Sequence, residues 1–433
     1  MRKTWVRLVL PLFITGPAYA VVVDQETYVE MTELDFDENY SFLASVRASI
    51  FAEDHACGGT IIGDRWVLTA AHCLVASEAS LEDSTDNAES FTNYEVAKPK
   101  EISITAGTVD LSQVDIPNIY KVTHVVIHPE YNPINSVSTD ESGLTVLEST
   151  AYQNDLALLY VERDFPSALV GKVTLGNSSS DARLSELGKE EDWDSAMPQP
   201  NVKVAGWGSG GDTTPPDPDM GYSGTELRET DVALYPIGLC YDRLESAEEM
   251  PKYIESPVDP TKLCTLPTIS FPMGDNIWGN GACLGDTGGP LLLQNDDMSF
   301  TQVGIISAGP IINTVCSSVT LPTWYTNVSY YTDWIDSYTS SDNPPEAVIT
   351  QPDFILAQED SVPDVEGDEE GDSVTEDDEA TGTDECNASV EGDYIVFGCD
   401  DEDDDSSGSI GYLYLLLLVM LAIRRKTASL KRA

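Results

Sequence analysis

The sequence predicts an all-β fold, either a barrel or a sandwich. Between residues 42 and 328 the chain consists of short segments rich in Val, Ile, Leu, Tyr and Thr, each bounded by turn-forming Gly, Pro, Asn or Asp. Such segments are typical of strands, and no long stretch with a helical repeat separates them. The predicted strands cover residues 43–51, 59–62, 66–69, 102–106, 122–128, 156–161, 202–206, 228–235, 290–293, 302–307 and 323–328.

A helix is predicted where this strand-rich region ends. Tyr331, Trp334, Ile335 and Tyr338 recur at intervals of three and four residues, which places them on one face of a helix. This helix is expected to close the domain.

Composition excludes one class of function. The chain has 433 residues, enough for about two or three domains. Its net charge is −53, from 75 acidic and 22 basic residues. Nucleic-acid binding needs a basic face, so no nucleic-acid partner is expected. The charge suits a surface exposed to salt, where self-repulsion is screened.

The N-terminus has the pattern of a secretion signal over residues 1–20. Arg2, Lys3 and Arg7 form a positive region, an apolar run follows at 8–15, and Ala18-Tyr19-Ala20 is a small-x-small cleavage site. The apolar run is too short to span a membrane. We therefore expect export of the protein, which suits its even number of cysteines, eight in all.

The C-terminal region divides into an acidic linker at 341–409 and a hydrophobic anchor at 410–433. Residues 359–405 contain 22 acidic residues and no Lys or Arg, so this part of the linker is predicted to be disordered. Residues 410–423 are apolar but shorter than the about 20 residues that span a bilayer comfortably. The basic cluster at 424–426 predicts a short transmembrane helix with a cytoplasmic C-terminus.

One loop carries the pattern of a catalytic site. Residues 280–291 read Asn-Gly-Ala-Cys-Leu-Gly-Asp-Thr-Gly-Gly-Pro-Leu. Gly285 lets the backbone approach a substrate carbonyl, because it has no side chain. The N–H groups of Gly285 and Thr287 are then candidate donors to a developing oxyanion. Asp286 is a candidate for holding the loop in shape.

This loop resembles the nucleophile loop of chymotrypsin-like serine peptidases, with Thr287 where that family has serine. Residues 69–73, which contain His72, resemble the family's histidine motif, and residues 154–159, which contain Asp155, resemble its aspartate motif. Ser307 matches the serine that hydrogen-bonds the catalytic aspartate. The order of histidine, aspartate and nucleophile is also that of the family.

The resemblance implies a fold and a role for each residue. The fold would be two six-stranded antiparallel β-barrels with a C-terminal helix, in a peptidase domain at 21–340, with the site in the cleft between the barrels. His72 would be the general base and acid, Asp155 would orient its ring, and Gly285 and Thr287 would form the oxyanion hole. The other histidines, His55, His124 and His128, sit in no motif and are expected to be structural or exposed. The long polar stretches at 76–101 and 177–200 are predicted to be solvated surface loops.

The resemblance also implies three disulfides, Cys57–Cys73, Cys240–Cys264 and Cys283–Cys316. Cys386 and Cys399 are left over, and a fourth bridge between them would close a small loop. Metal binding is the alternative use of these cysteines, but the sequence contains no CxxC pair. No metal and no cofactor is expected.

The specificity pocket of the family can be placed by counting from the nucleophile. Gly281, six residues before Thr287, matches its base, and Gly309 and Thr323 match its walls. Ser307 precedes the strand that pairs with substrate. Because no acid stands at the base, we expect protein or peptide substrates to be cleaved after neutral residues and not after Arg or Lys.

The sequence departs from the family at the activation site. Family members usually gain a new amino terminus by a cut after Arg or Lys, and this terminus pairs with the aspartate beside the nucleophile, here Asp286. No Lys or Arg lies between Arg7 and Arg47, so a trypsin-like cut is excluded. Cleavage by another peptidase and no activation at all are the two alternatives left open. Counting back from the first strand places the expected terminus near Val29, where no Gly-Gly follows.

Thr287 leaves two interpretations open. Threonine keeps a hydroxyl, but its extra methyl stiffens the side chain and needs space. The chain is then either a peptidase with a threonine nucleophile or a pseudopeptidase that binds without much cleavage.

The C-terminal tail has a resemblance of its own. The Gly/Ser segment at 406–411, the apolar run and the basic cluster together resemble the GlyGly-CTERM sorting tails of Gram-negative secreted proteins. This implies location at the cell envelope or cell surface, with possible release to the medium. It also implies two partners, a membrane and a sorting-tail processing peptidase.

Overall fold

A computed structural model of the chain describes residues 21–23, 31–47, 55–79, 92–112, 114–133, 135–139, 145–209, 224–245, 253–273, 276–309, 316–341, 343–361, 387–391 and 394–398. The predicted signal peptide, the anchor at 410–433 and the proposed Cys386–Cys399 bridge lie outside these ranges. No helix within them is long and apolar enough to cross a membrane.

Six antiparallel strands close the first barrel. The strands are β1 (Leu43–Arg47), β2 (Cys57–Ile61), β3 (Trp66–Thr69), β4 (Ser103–Ala106), β5 (Ile119–Ile127) and β6 (Ala157–Val161). Their order around the barrel is β6-β3-β2-β1-β4-β5, and pairing of β5 with β6 completes the ring. Five of the six strands, all except β5, are buried along their whole length, because the core fills the inside and other chain segments cover the outside.

A second barrel has the same plan. Its order is β11-β10-β7-β8-β9-β12, closed by pairing of β11 with β12. The expectation of two six-stranded antiparallel barrels is therefore confirmed. The strands are β7 (Val202–Gly206), β8 (Arg228–Tyr235), β9 (Lys262–Pro267), β10 (Pro290–Gln294), β11 (Phe300–Ala308) and β12 (Thr323–Asn327).

Strand β9 was not predicted, and its composition explains why. It begins with Lys262, which is buried with 1% of its surface exposed. A charged residue at the start of a short segment masks the strand pattern. The pairing of β9 with β8 and β12 is a tertiary effect that the local sequence does not encode.

Five α-helices surround the barrels in the described part of the chain. The expected C-terminal helix is confirmed as α4. The helices are α1 (Glu33–Asn39), α2 (Ser178–Leu187), α3 (Ile237–Glu245), α4 (Thr332–Thr339) and α5 (Asp353–Ser361), with shorter 3₁₀ turns at Pro99–Glu101, Ile116–Asn118, Glu190–Asp192 and Val328–Tyr331.

Helix α2 corrects the prediction of a loop at 177–200. Asn177 caps it, accepting hydrogen bonds from the backbone of Ser179 and Ser180 at 2.9 and 3.3 Å. Only Leu184 among its apolar residues is buried, so the helical repeat was too weak to be recognised. The polar stretch at 76–101 likewise takes part in regular structure, because Val75–Ala79 and Thr92–Val96 pair as a hairpin.

Further short strands pair outside the barrels. Three hairpins are formed by Asn135–Thr139 with Thr145–Thr150, Ser270–Met273 with Asn276–Gly279, and Asn387–Glu391 with Tyr394–Gly398. Thr174–Leu175 adds in parallel to β11.

The described fold continues past the expected domain boundary at residue 340. Ile349–Thr350 pairs in parallel with β5 of the first barrel, and α5 follows. Ile355 of α5 is buried, and the ring of Phe354 meets Tyr94 edge-on at 5.2 Å. These apolar residues are too few for the sequence pattern to separate them from the acidic segment that follows.

Candidate active site

His72 and Asp155 meet at the edge of the first barrel where one strand ends and its antiparallel neighbour begins. His72 follows β3, and Asp155 precedes β6, which pairs with β3. The backbone N–H of His72 donates to Asp155 Oδ1 at 2.9 Å, and its ring Nδ1 donates to Asp155 Oδ2 at 2.8 Å. Since the proton of the neutral ring is held at Nδ1, Nε2 is left as the basic nitrogen.

Asp155 is fully buried, yet it is held in its charged form. Burial by itself would raise the pKa of its carboxyl, but the neighbouring His72 and the hydrogen bonds that Asp155 accepts hold the pKa below its usual value. One of these bonds comes from Ser307 Oγ, at 2.6 Å from Asp155 Oδ2. Thr326 of the second barrel donates to the backbone carbonyl of Asp155 at 2.8 Å. Both barrels therefore contribute to fixing this carboxylate.

The turn before Asp155 is strained and well supported. Tyr152 and Asn154 have positive φ angles of 35° and 51°, in a region that side chains other than glycine rarely adopt. The ring of Tyr152 stacks on His72 with centroids 4.5 Å apart and planes 14° from parallel. Tyr331 donates to Asn154 Oδ1 at 2.7 Å. The strain is thus offset by contacts that position the imidazole.

Lys262 supports the same turn from the second barrel. Its ammonium donates to the carbonyl oxygen of Ala151 at 3.2 Å and to that of Tyr152. Burial lowers its pKa to about 8, while the nearby Asp155 opposes this shift. No motif marked Lys262 in the sequence.

The nucleophile loop is bent by two glycines and tied to both barrels. Gly285 and Gly288 have φ angles of 88° and 80°. A Cβ on Gly288 would lie 2.3 Å from Thr69 Oγ1, so only glycine fits there. The carbonyl of Thr287 accepts from Gly58 of β2 at 2.7 Å, and the N–H of Gly288 donates to Ile306 of β11 at 2.8 Å.

The two candidate oxyanion donors of this loop have no hydrogen-bond partner within the described chain. The backbone N–H groups of Asp286, Gly288 and Gly289 donate to carbonyls at 2.8 to 3.0 Å. Within the described chain, the N–H groups of Gly285 and Thr287 donate to no protein acceptor. Both donors are therefore available to an incoming oxygen.

His55 is a member of the site that the sequence did not reveal. Its Nε2 lies 2.7 Å from the carbonyl oxygen of Gly285, and its Nδ1 lies 2.7 Å from Ser45 Oγ. A carbonyl only accepts, so Nε2 carries the proton and Ser45 donates to Nδ1. Burial lowers the pKa of His55 to about 3, so the ring is neutral. No motif encodes this contact, which joins residues far apart in the chain.

The hydroxyl of Thr287 points at a disulfide and not at His72. Its Oγ1 lies 3.3 Å from Sγ of Cys57, and since a disulfide sulfur carries no hydrogen, the hydroxyl is the donor. Among the described residues no hydrogen bond joins Thr287 to His72. Attack on a substrate therefore requires rotation of the Thr287 side chain.

Asp286 is buried beside the first described residues of the chain. Its carboxylate accepts from the N–H of Gly208 at 2.8 Å, from that of Cys283 at 2.9 Å, and from the backbone of Val21. Burial raises its pKa to about 7, against the effect of these bonds. The described segment that reaches Asp286 is therefore Val21–Val23, whereas the expected terminus near Val29 lies outside the described residues.

The predicted pocket residues are only partly brought together. A neutral pocket beside Thr287 includes Gly309 and Thr323 in its lining. Gly281 does not line it, because its backbone pairs with Val22 instead. Ser307 faces Asp155 and is likewise absent from the lining. The described residues that line it are Ala282, Cys283, Leu284, Thr287, Ile306, Ala308, Gly309, Cys316, Ser317 and Thr323.

The described part of the chain contains three disulfides, each joining the cysteines that the resemblance implied. Cys57–Cys73 lies beside the triad, Cys283–Cys316 forms a wall of the pocket, and Cys240–Cys264 anchors α3 to β9. Sulfur and nitrogen atoms of Cys57, Cys73 and His72 lie within 4.8 Å of one another. Because the two sulfurs are bonded to each other, they offer no thiolate to a metal.

The two barrels, with a buried histidine–aspartate pair and two free amides between them, define a chymotrypsin-like serine peptidase fold and site. The family model described as Trypsin matches residues 36–335. The chain belongs to the trypsin family.

Three similar proteins each match about two thirds of the chain. The chain is 26% identical to Lectizyme of Glossina austeni over 296 residues, which is 68% of this chain and 80% of the relative. It is 28% identical to Trypsin zeta of Drosophila erecta over 65% of this chain and 73% of the relative. It is 25% identical to CLIP domain-containing serine protease B4 of Anopheles gambiae, over 64% of this chain and 61% of the relative.

Proposed function

We propose that the protein is an exported endopeptidase that hydrolyses peptide bonds with Thr287 as its nucleophile. The observation that carries this proposal is the network in which Ser307 and His72 both donate to Asp155, next to the free amides of Gly285 and Thr287. This arrangement supplies a base with a fixed orientation and two donors for a developing oxyanion, which are the groups that attack by a hydroxyl requires.

Each residue has one task in the reaction. His72 Nε2 takes the proton of the Thr287 hydroxyl as its oxygen attacks the substrate carbonyl. The N–H groups of Gly285 and Thr287 stabilise the oxyanion, and His72 then gives the proton to the leaving amine. Water, activated by His72, hydrolyses the acyl ester on Thr287. Asp155 orients the ring and stabilises its charged form.

The pocket favours a neutral side chain before the scissile bond. None of the described residues that line it is charged, and Thr323 and Ala308 give it a partly apolar wall. Burying an Arg or Lys side chain there would leave its charge without a partner, which is unfavourable. We therefore expect small or medium apolar side chains to occupy the pocket before the scissile bond.

One observation supports the alternative of a pseudopeptidase. The Thr287 hydroxyl donates to Cys57 Sγ, and a branched side chain changes its first torsion reluctantly. If the methyl blocks rotation toward His72, the cleft binds a peptide but does not cleave it.

A reagent that reacts covalently with an active nucleophile distinguishes the peptidase from the pseudopeptidase. The purified protein is treated with a fluorophosphonate and digested, and the mass of the peptide that contains Thr287 is measured by mass spectrometry. We expect labelling of wild type and none of His72→Ala or Thr287→Ala. Lack of labelling in a wild-type protein that is folded would favour the pseudopeptidase.

The proposed location is the cell envelope. It is supported by the secretion-signal pattern at 1–20 and by the apolar run and basic cluster at 410–426. The three disulfides suit an oxidising compartment outside the cytoplasm.

A further inference from the structure

We propose that a single cut between Ala20 and Val21 both removes the secretion signal and completes the active-site loop, so that no separate pro-segment has to be removed. This inference rests on the proposed export of the protein. It assigns to the Ala20–Val21 bond a second role, as the site of activation.

The first three residues after this bond are built into the second barrel. Val21, Val22 and Val23 have 0%, 0% and 4% of their surfaces exposed. Val22 exchanges two backbone hydrogen bonds with Gly281, at 2.9 and 3.1 Å. Val21 and Val23 pack in the same apolar cluster as Ala282, next to the nucleophile loop.

These contacts fix where the mature chain has to begin. A cut later in the chain, near Val29, would remove all three valines. Gly281 would lose its partner strand, and Asp286 would lose one of its three backbone donors. A start at Val21 keeps every one of these contacts.

Asp286 lacks a positive charge that a terminus at Val21 would supply. No Lys, Arg or His in the described chain forms an ion pair with its buried carboxylate, and burial raises its pKa to about 7. A buried carboxylate without a counter-charge is costly. The space around it is also tight, since a Cβ on Gly206 would lie 2.3 Å from Asp286 Oδ1.

Hydrolysis of the Ala20–Val21 bond produces the missing charge. Water adds across the amide, its oxygen bonds to the carbonyl carbon of Ala20, and the C–N bond breaks. Ala20 leaves as a carboxylate, and the nitrogen of Val21 becomes an ammonium group after taking up the proton released by the acid. The neutral N–H that now donates to Asp286 is thus replaced by a cation at the same place.

The sequence around the bond matches this scheme. Ala18-Tyr19-Ala20 is the small-x-small pattern that the peptidase removing secretion signals recognises. The absence of Lys and Arg between Arg7 and Arg47 removes the usual activating cut. Export and activation therefore coincide, and the protein stays inactive until it has crossed the membrane.

The first test is the terminus of the exported protein. The full chain is expressed with its own N-terminus, and the exported form is sequenced by Edman chemistry. We expect Val21 as the first residue. Any other first residue would overturn the proposal.

The second test measures the effect of the free amino group. The chain 21–433 is released from a removable fusion so that it begins at Val21, and a matched form begins with Gly-Ser before Val21. We expect the exact terminus to raise the melting temperature by about 5 °C. In the Asp286→Asn background, which keeps the shape and removes the carboxylate, the two forms should melt together.

These outcomes are independent of whether Thr287 supports turnover. A melting difference that disappears in Asp286→Asn supports the activation proposal even if neither form takes up a fluorophosphonate. Equal melting temperatures of the two forms in the wild-type background would overturn it, even if both forms were labelled.

Discussion

His55 donates a hydrogen bond from Nε2 to the carbonyl oxygen of Gly285 at 2.7 Å, across 230 residues of sequence. The bond holds the peptide group between Gly285 and Asp286 in place, and this limits rotation of the Gly285 backbone. The N–H of Gly285 is a candidate oxyanion donor. His55 is therefore a positioning residue, which acts on the reaction through the loop it holds.

Replacing His55 tests this role. His55→Leu removes the donor, and we expect kcat to fall by about 10–100-fold with little change in KM, because an oxyanion donor is lost. His55→Gln keeps an N–H near the position of Nε2 and should recover most of the loss. Steady-state kinetics on a peptide ester would show this, and a Leu variant with wild-type kcat would contradict it.

Substitution at Thr287 tests the nucleophile itself. Thr287→Ser keeps the hydroxyl and removes the methyl, so rotation from Cys57 Sγ toward His72 becomes easier. We expect turnover to rise by about tenfold, and Thr287→Ala to abolish it, since the base and nucleophile together contribute at least ~10². Turnover in Thr287→Ala equal to that of wild type would show that Thr287 does not act as the nucleophile.

Lys262 should make stability depend on pH in the alkaline range. Its pKa is about 8 in the folded protein and 10.5 in an exposed side chain, so between these values the unfolded chain binds more protons. The contribution of Lys262 to the free energy of unfolding therefore rises as the pH increases from about 8 to 10.5. The rise is at most roughly 1.4 kcal/mol per pH unit. Urea unfolding of wild type and Lys262→Met should diverge above pH 8. If the free energies of unfolding of the two proteins depended on pH in the same way, the lowered pKa of Lys262 would be contradicted.

The pocket wall offers a test of specificity. Thr323→Ala removes a side chain that lines the pocket, so we expect preference to shift toward larger neutral residues before the cut. Gly309→Ala is the matched opposite change, because its Cβ would lie 3.0 Å from Thr323 Oγ1 and narrow the space. A peptide library read by mass spectrometry measures both. Dominant cleavage after Arg or Lys in wild type would refute the neutral pocket.

The C-terminal segment is predicted to hold the protein at the envelope. Ending the chain at Ser409 removes the apolar run and the basic cluster. We expect the shortened protein to be released to the medium or mislocalised, as measured by immunoblotting of membrane and soluble fractions. Equal membrane attachment of both forms would argue against an anchor.

Most of the fold could be predicted because its signals are local. The motifs around His72, Asp155 and Thr287 are short, and eleven of the twelve barrel strands carry apolar runs that can be read directly. The strand that begins with Lys262 could not be recognised, because the groups that accommodate its charge, among them the carbonyls of Ala151 and Tyr152, are distant in the sequence.

The parts of the site that escaped prediction depend on distant contacts. His55 lies in no motif, and its role appears only when Gly285 is brought to it. Gly281 was expected at the pocket base by counting, but pairing with Val22 gives it another role. Such partners are chosen by the tertiary fold, so a single sequence carries no local trace of them.

The chain leaves the peptidase fold by way of the barrel that carries His72 and Asp155. After α4, Ile349–Thr350 runs along β5, and Ile355 of α5 is buried in the core of the same barrel. A pull on the chain from beyond α5 would first load this two-residue pairing and this short helix. They would detach before the closed barrel deformed, and in this way they would protect the cleft from mechanical tension on the tail.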